Sequence, residues 1–336
     1  MPDLLRDHLD DLSALINLTA RARGIAPIFV EKDFWVTEVL RAATAAIMVE
    51  SSDGTMHPVH TIFKGGTSLS RIYRLIERFS EDVDLLIGFP DTSVSVGAKD
   101  RALKAIRGAV GVHLGLPADK ITAEGAATKG IKRNTRYHYP RLLRSSNDAI
   151  SSGVLLEMGC RGGTFPVQTH PMRSMLAEHA INELGETDDT WAEFAPFEVE
   201  VLAPERTLFE KLAMLHDTST NIDDERARSR LLKAGRHLYD VHQLLNAEQV
   251  KQALVAAGPS GVQTLCSDIH DHSVQAEFPC TPRPSGGYGV SPLANPTSEC
   301  REVLEAAYAA AAALIYGPRP TLDECLDAVK ANADHL

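Results

Sequence analysis

The amino-acid sequence predicts an α+β fold, a mixed sheet with helices followed by a mainly helical C-terminal domain. Over the first 200 positions, short runs rich in β-branched residues alternate with segments in which apolar residues recur at helical spacing. From Glu205 onward the helical spacing dominates. A chain of 336 residues also exceeds the usual size of one domain. We therefore predict an α/β domain with N-terminal helices over 1–200 and a helical domain over 201–336.

The individual elements follow from local patterns. Leucines at helical spacing predict two helices before residue 50, separated by a break at 24–27, the second running over about 27–48. Short β-rich runs predict strands at 59–63, 80–87 and 154–158. Helical spacing predicts further helices at 67–79, 205–217, 227–245, 247–257 and 299–316. Five prolines and three glycines make 278–296 a loop.

Composition excludes several classes of protein. The 45 acidic residues outnumber the 34 basic ones, and a net charge of −11 argues against a protein that coats nucleic acid without selectivity. The N-terminus carries four aspartates, and the most apolar stretch, 306–316, is shorter than the ~20 residues that cross a bilayer. The five cysteines form no CxxC pair. We therefore expect a cytoplasmic protein without disulfides or a membrane span.

The chemistry is concentrated in a glycine turn between a strand and a helix. A β-rich run ends at Lys64, Gly65 and Gly66 allow a tight turn, and Thr67 and Ser68 open the following helix. Unpaired backbone N–H groups and the positive end of the helix dipole make such a turn a phosphate cradle. The alternative is an ordinary turn with a serine cap.

Two aspartates follow on the next predicted strand. Asp82 and Asp84 are two positions apart, so both carboxylates lie on one face of that strand. Paired carboxylates can hold Mg²⁺ or Mn²⁺, and two such ions ~4 Å apart activate an attacking hydroxyl and neutralise a leaving pyrophosphate. Solvated strand edges also carry such pairs. The order strand, turn, helix and strand makes the combination more specific than either part.

These motifs resemble those of a known family. The turn and the two aspartates are similar to the first motif of the polymerase β-like nucleotidyltransferase superfamily. The wider stretch 64–86 resembles the AbiEii/AbiGii toxin family, as do 31–36, 205–216 and 235–242, with a weaker similarity at 283–292. The resemblance implies a nucleotidyltransferase-type fold and a toxin with a cognate antitoxin. It also implies transfer of NMP from an NTP to an RNA, with tRNA 3′ ends as acceptors, which would block translation and growth.

The same resemblance assigns roles to individual residues. It makes the 65–68 turn a phosphate contact, Asp82 and Asp84 metal ligands, and Lys211 the cation that faces the triphosphate. It gives Asp240 a role in holding the base or orienting Lys211, and the helical domain thereby contributes to the site. The alternatives are a solvated Lys211 and a helix-surface ion pair of Asp240 with Arg236 at i−4.

Two further residues are proposed near this site. Glu157 is the one charge inside the apolar run 154–158 and is our candidate for a third metal carboxylate, the alternative being an outward-facing edge residue. Ser80 lies two residues before Asp82. We hypothesise that a phosphate on Ser80 would repel the incoming triphosphate and inactivate the protein.

A basic block covers the positions from Lys99 to Arg144, with eleven basic residues against three acids. Its first half fits the solvated face of one helix. Its second half is interleaved with His138, Tyr137 and Tyr139, a mixture that favours RNA phosphates with stacking on aromatic rings. The basic residues of this second half are Lys129, Lys132, Arg133, Arg136, Arg141 and Arg144.

Other interpretations stay open at the level of sequence. The spacing of Cys266, His270, His272 and Cys280 leaves a zinc site possible, although it matches no common zinc finger. For the function, one alternative is phosphoryl transfer to a protein hydroxyl. Another is a non-catalytic module on the same fold that binds nucleic acid or a partner protein.

Overall fold

The computed structural model describes residues 2–51, 54–80, 82–89, 94–143 and 151–336. The chain forms two compact units. The first comprises 1–67, 81–160 and 167–201, and the second comprises 68–80, 161–166 and 202–336. The second unit thus includes two short segments from within the first 200 positions.

The first unit is built on one mixed sheet, which has eight strands among the described residues. These are β1 (Ile47–Glu50), β2 (Met56–Lys64), β3 (Asp82–Gly88), β4 (Ile121–Ala123), β5 (Lys132–Tyr137), β6 (Val154–Gly159), β7 (Val167–Met172) and β8 (Phe197–Leu202). Their spatial order is β4-β5-β6-β3-β2-β8-β7, and β1 pairs with β2 outside this path. The β3–β6 and β2–β8 pairs are parallel, whereas β2–β3 and β5–β6 are antiparallel. The mixed α+β architecture predicted from the sequence is confirmed.

Among the described residues, five helices belong wholly or partly to the first unit. They are α1 (Leu9–Arg23), α2 (Pro27–Ala43), α3 (Gly65–Arg71), α4 (Val96–His113) and α5 (Met175–Glu183), of which α3 continues into the second unit. Helix α2 packs on β3 and β6, and α4 packs on α2 and β5. Trp35 of α2 stacks on Tyr139 with ring centroids 5.0 Å apart. The second N-terminal helix was predicted to reach residue 48, but it ends at Ala43 because β1 begins at Ile47 and pairs with β2.

The second unit is helical. Its helices are α6 (Pro204–Thr220), α7 (Glu225–Leu232), α8 (Gly235–Asn246), α9 (Glu248–Gln275), α10 (Ser298–Ala311) and α11 (Leu322–Ala331). The prediction of one helix over 227–245 is wrong, because α7 ends at Leu232 and a separate helix, α8, begins at Gly235. A Cβ at Gly235 would lie 1.9 Å from the carbonyl oxygen of Ala307, so α8 can begin against α10 only with glycine there. The helix predicted at 247–257 continues as α9 across a kink at Gly258.

The segment after α3 departs most from the sequence-based expectation. A helix was predicted over 67–79, but α3 ends at Arg71, and Arg74 has a φ of 53°. Arg78 then forms an isolated bridge with Ile315, and the Phe79 amide donates to the Leu314 carbonyl at 2.8 Å. Burial alternates at 76–78 with the period of an extended chain. Arg78, expected on the outer face of a helix, is therefore buried.

None of the described helices combines the length and the apolar character needed to cross a membrane.

Candidate functional site

The glycine turn is held directly against the aspartates of β3. Lys64, the last residue of β2, pairs with Asp84, and α3 begins at the next residue. Gly65 has a φ of 82°, and a Cβ there would lie 2.4 Å from Oδ2 of Asp84. The Thr67 hydroxyl donates to the carbonyl of Asp82 at 2.6 Å. Only glycine permits this approach of the turn to the Asp84 carboxylate.

The residues predicted to bind phosphate occupy different environments within this turn. Gly65 and Gly66 are half-buried, whereas Thr67 and Ser68 are buried. The Thr67 hydroxyl is used to fix the backbone of β3. Binding of phosphate by the four residues stays a prediction.

Three carboxylates meet on neighbouring strands of the sheet. Asp84 of β3 and Glu157 of β6 are registered partners, and Asp82 lies two residues earlier on β3. Burial, the charge of Asp84 and a hydrogen bond to its carboxyl, with a smaller contribution from Asp82, raise the pKa of Glu157 to about 7. Asn134 Nδ2 donates to Oε1 of Glu157 at 2.6 Å. The structure thus places the three carboxylates on one face of two adjacent strands, and their role as metal ligands stays a prediction.

This donor set fits a hard divalent cation. Carboxylate oxygens are the ligands that Mg²⁺ and Mn²⁺ take in proteins. Burial is the largest cause of the raised pKa of Glu157, the charges of Asp84 and Asp82 add to it, and a cation would relieve their repulsion. Across the described parts of the chain, no three His, Cys, Asp or Glu side chains already form a group that could hold a metal ion.

The two faces of strand β5, which pairs with β6, carry different sets of side chains. Asn134 pairs with Glu157, and Arg136 pairs with Leu155, the registered partner of Asp82. Because side chains alternate along a strand, Lys132, Asn134 and Arg136 share the carboxylate face. The intervening residues point toward α4.

Several residues that were predicted to bind RNA lie on the side of β5 that faces α4. Arg133 pairs with Asp100 of α4 at 3.1 Å, and the Tyr137 hydroxyl donates to the carbonyl of Arg107 at 3.0 Å. Tyr137 and Tyr139 are both buried. The expectation that these tyrosines stack on RNA bases is therefore wrong, because their rings belong to the core.

The remaining cations of the basic block differ in accessibility. Arg136 pairs with Glu124 at 3.0 Å, whereas Lys129, Lys132 and Arg141 are exposed. Arg144 lies outside the described residues. The first half of the block lies on α4, as the helix-face interpretation expected.

In the second unit, Asp240 of α8 lies at the centre of a buried ion cluster. Arg78 donates to both carboxylate oxygens, from Nε at 2.6 Å and from Nη2 at 2.8 Å. Lys211 of α6 binds Oδ2 at 2.8 Å and also donates to Nδ1 of His237 at 2.9 Å. Asp240 is fully buried, and Arg78 and Lys211 are nearly so.

The groups of this cluster shift the pKa values of one another. Burial alone would raise the pKa of Asp240, but Arg78 and Lys211 hold it well below its usual range. Burial lowers the pKa of Lys211 against the opposing charge of Asp240. Burial and the nearby Lys211 lower the pKa of His237 to about 3, so the ring is neutral near pH 7. Asp240 is thus the shared partner of Arg78 and Lys211 within this cluster.

Two sequence-based alternatives are excluded by this geometry. Lys211 is not a solvated helix residue, and Asp240 does not form a helix-surface pair with Arg236, which is exposed while Asp240 is buried. The pairing with Lys211 is the arrangement expected of a residue that orients the lysine. Sequence reasoning missed Arg78 and His237. The alternating burial around Arg78 is visible only in the structure, and the spacing of apolar residues over 67–79 indicated a helix.

The remaining predicted positions are Ser80 and the residues of the zinc alternative. Ser80 is half-buried, at the end of the extended segment that carries Arg78. The zinc alternative is not supported, since no metal-holding group exists among the residues described. Cys266 is buried and His272 pairs with Asp268 at 3.4 Å.

Comparison with known families identifies the class of protein as a nucleotidyltransferase. The model of the nucleotidyl transferase AbiEii toxins of type IV toxin–antitoxin systems matches residues 57–328. The chain belongs to this family and is a nucleotidyltransferase toxin, as the sequence motifs indicated.

Comparisons outside the family model add less. No curated protein sequence matches the chain. A solved structure of MenT4, a nucleotidyltransferase toxin from Mycobacterium tuberculosis H37Rv, is similar over 94% of this chain and 94% of its own, with 16% identity and a TM-score of 0.46.

Proposed function

We propose that this chain transfers NMP from an NTP to the 3′ hydroxyl of a tRNA and thereby blocks translation and growth. The observation that carries the proposal is the meeting of Asp84 and Glu157 on one sheet face, against a turn that only Gly65 can form. Membership of a nucleotidyltransferase toxin family supports the reaction class. The tRNA acceptor comes from the sequence resemblance.

The proposed site would hold a divalent cation, Mg²⁺ or Mn²⁺, on Asp82, Asp84 and Glu157. When bound, such a cation supplies positive charge for the phosphates and lowers the pKa of the attacking hydroxyl. The backbone N–H groups of the 65–68 turn bind phosphate oxygens. In-line attack of the RNA hydroxyl on the α-phosphorus then forms the new phosphodiester and breaks the bond to pyrophosphate.

Lys211 is proposed to bind the triphosphate. Its support is the position of the lysine in a buried cluster with Arg78 and Asp240, since a lysine ammonium acts as a point charge for phosphate. Asp240 and His237 fix the lysine nitrogen from two sides. A fixed ammonium loses little further conformational freedom when it binds phosphate.

Labelling with two nucleotides tests the reaction. Purified protein is incubated with total tRNA and with NTP labelled at either the α- or the γ-phosphate. We expect α-label in RNA and no γ-label in protein, and loss of labelling in Asp84→Asn. Asp119→Asn, at an exposed position 74% accessible, is the control and should keep activity. A γ-labelled protein product would instead support phosphoryl transfer, and an Asp84→Asn chain as toxic as the parent would support the non-catalytic alternative.

The acceptor is proposed to approach over the carboxylate face of β5. Lys132 is exposed on this face, whereas Lys104 lies on α4, which covers the opposite face. Lys132→Ala should weaken tRNA binding and reduce its salt dependence by about one phosphate contact. Lys104→Ala removes the same charge and should leave binding unchanged. Equal effects of the two variants, measured by filter binding at several salt concentrations, would refute this path.

The family membership also suggests a cognate antitoxin. We propose phosphorylation of Ser80 as one means of inactivation, because the added negative charge would repel a triphosphate. Ser80→Glu should lose NMP transfer, whereas Ser80→Ala should keep it. Full activity of Ser80→Glu would contradict the mechanism. Mass spectrometry of protein produced with and without the antitoxin would detect the modification.

A further inference from the structure

Asn134 of β5 is a buried amide whose hydrogen bonds are only partly satisfied. Its side chain is 9% exposed. Nδ2 donates to Oε1 of Glu157 at 2.6 Å. Oδ1 is buried, and none of the described residues offers it a hydrogen bond. A buried acceptor left without a donor is destabilising, so its retention calls for a cause.

The sheet places this amide within the carboxylate cluster. Asn134 is the registered partner of Glu157 on β6, and Glu157 is the registered partner of Asp84 on β3. The three side chains therefore lie in one row across three adjacent strands, on the same face. In this row the NH₂ group of the amide is directed at the Glu157 carboxyl, since Nδ2 is the atom that donates to Oε1.

We infer that Asn134 is a positioning residue of the proposed metal site. Its NH₂ group fixes the Glu157 carboxylate, and its carbonyl oxygen accepts a hydrogen bond from a water that a divalent cation retains on binding. The inference rests on the proposed function, since it requires a cation at the carboxylates. Small divalent cations keep several waters in such sites, and these waters need acceptors. Residues that orient metal ligands change affinity by about 10- to 100-fold when removed.

Thr135 provides a matched control on the same strand. It is also buried, and its Oγ1 likewise finds no hydrogen-bond partner in the described structure. By alternation it faces the side of Tyr137, whose hydroxyl contacts α4, and so points away from the carboxylates. Thr135→Val keeps the side-chain shape and removes the oxygen. An effect of Asn134 that Thr135→Val does not reproduce is therefore specific to the carboxylate face.

The test measures Mn²⁺ binding by paramagnetic resonance, with the full chain and without NTP or RNA. We expect Asn134→Ala to weaken Mn²⁺ affinity by about 10- to 100-fold and Thr135→Val to leave it unchanged. Asn134→Leu fills the volume of the lost amide, and its Mn²⁺ affinity should be as low as that of Asn134→Ala. It replaces Asn134→Ala in the test if the alanine variant does not fold. Thermal unfolding in EDTA confirms that each variant is folded.

A double-mutant cycle with Glu157→Gln separates positioning from independent action. If Asn134 acts through Glu157, adding Asn134→Ala to Glu157→Gln should cause less loss than in the parent. Additive losses would overturn the inference. The inference would also be overturned if Asn134→Ala and Asn134→Leu kept their Mn²⁺ affinity while Asp84→Asn lost it. The proposed metal site itself would not be refuted by that result. Unchanged affinity in Asp84→Asn would instead refute the metal site itself.

Discussion

Replacing Asp240 by alanine should destabilise the second unit strongly, because the carboxylate is the counter-ion of two buried cations. Asp240 is 0% exposed, and Arg78 and Lys211 are 2% and 7% exposed. Removing one partner of a buried ion pair costs about 3–5 kcal/mol, since the other charge is left without compensation. Arg78 would keep its bond to the Phe79 carbonyl and Lys211 its bond to His237, so neither nitrogen loses every partner.

We therefore expect a loss of ~3–5 kcal/mol in the free energy of unfolding, a large share of the 5–15 kcal/mol typical of a folded domain. Urea unfolding followed by circular dichroism measures it. Asp327→Ala serves as the control, because Asp327 is 67% exposed in its pair with Lys330. Surface changes of this kind stay within about 0.5 kcal/mol. An Asp240→Ala variant within about 1 kcal/mol of the parent would refute the assignment of a buried counter-ion.

The same carboxylate should make stability depend on acid. Because the cations hold the pKa of Asp240 well below its unfolded value, its stabilising contribution is complete above the unfolded pKa of 3.8. The contribution is lost as the pH falls through the lower, folded pKa. Asp240→Ala lacks this term, so its thermal midpoint should fall less steeply than that of the parent below pH 4. Parallel curves for the two proteins would contradict the pKa assignment.

Two further substitutions test the packing around the carboxylate face. Gly65→Ala should abolish NMP transfer in a folded protein, because the new Cβ would lie 2.4 Å from Oδ2 of Asp84. Gly24→Ala, also at positive φ but with nothing within 4 Å, should carry only the backbone cost of about 1–2 kcal/mol and keep activity, as an activity assay beside urea unfolding would show. Tyr137→Phe removes the hydrogen bond to the Arg107 carbonyl and should lower the free energy of unfolding in urea by about 1 kcal/mol. Binding of tRNA, measured by filter binding, should stay unchanged. Weakened RNA binding would support the stacking hypothesis.

The parts of the site that were predictable from sequence are those set by local spacing. The turn at Gly65 and the pair Asp82 and Asp84 lie within 20 positions of one another, and their strand and turn geometry follows from period and glycine placement. Glu157 was found as the one charge in an apolar strand. Its position beside Asp84 depends on the parallel β3–β6 pairing, which joins segments about 70 positions apart. Local patterns contain no information on such a register.

The parts that escaped prediction depend on distant contacts. Arg78 and Asp240 are 162 positions apart, and their pairing requires that 75–80 be extended rather than helical. Leu69, Ile72 and Ile76 are separated by three, four and seven positions, the offsets of a helix, so spacing alone favours a helix there. Tertiary pairing with Ile315 favours the extended form instead.

Strand β5 shows why the net charge of the chain says little about its nucleic-acid partner. The residues of one basic segment lie on both faces of the strand, because successive side chains of a strand point to opposite faces. Arg133 and Tyr137 on one face bind α4 and stabilise the core, whereas Lys132 and Arg136 lie on the face of the carboxylates. A one-residue shift of β5 would exchange these sets, burying lysine and exposing tyrosine. The surface open to an RNA end is therefore set by strand register, so an acidic chain can still present lysine beside its proposed metal ligands.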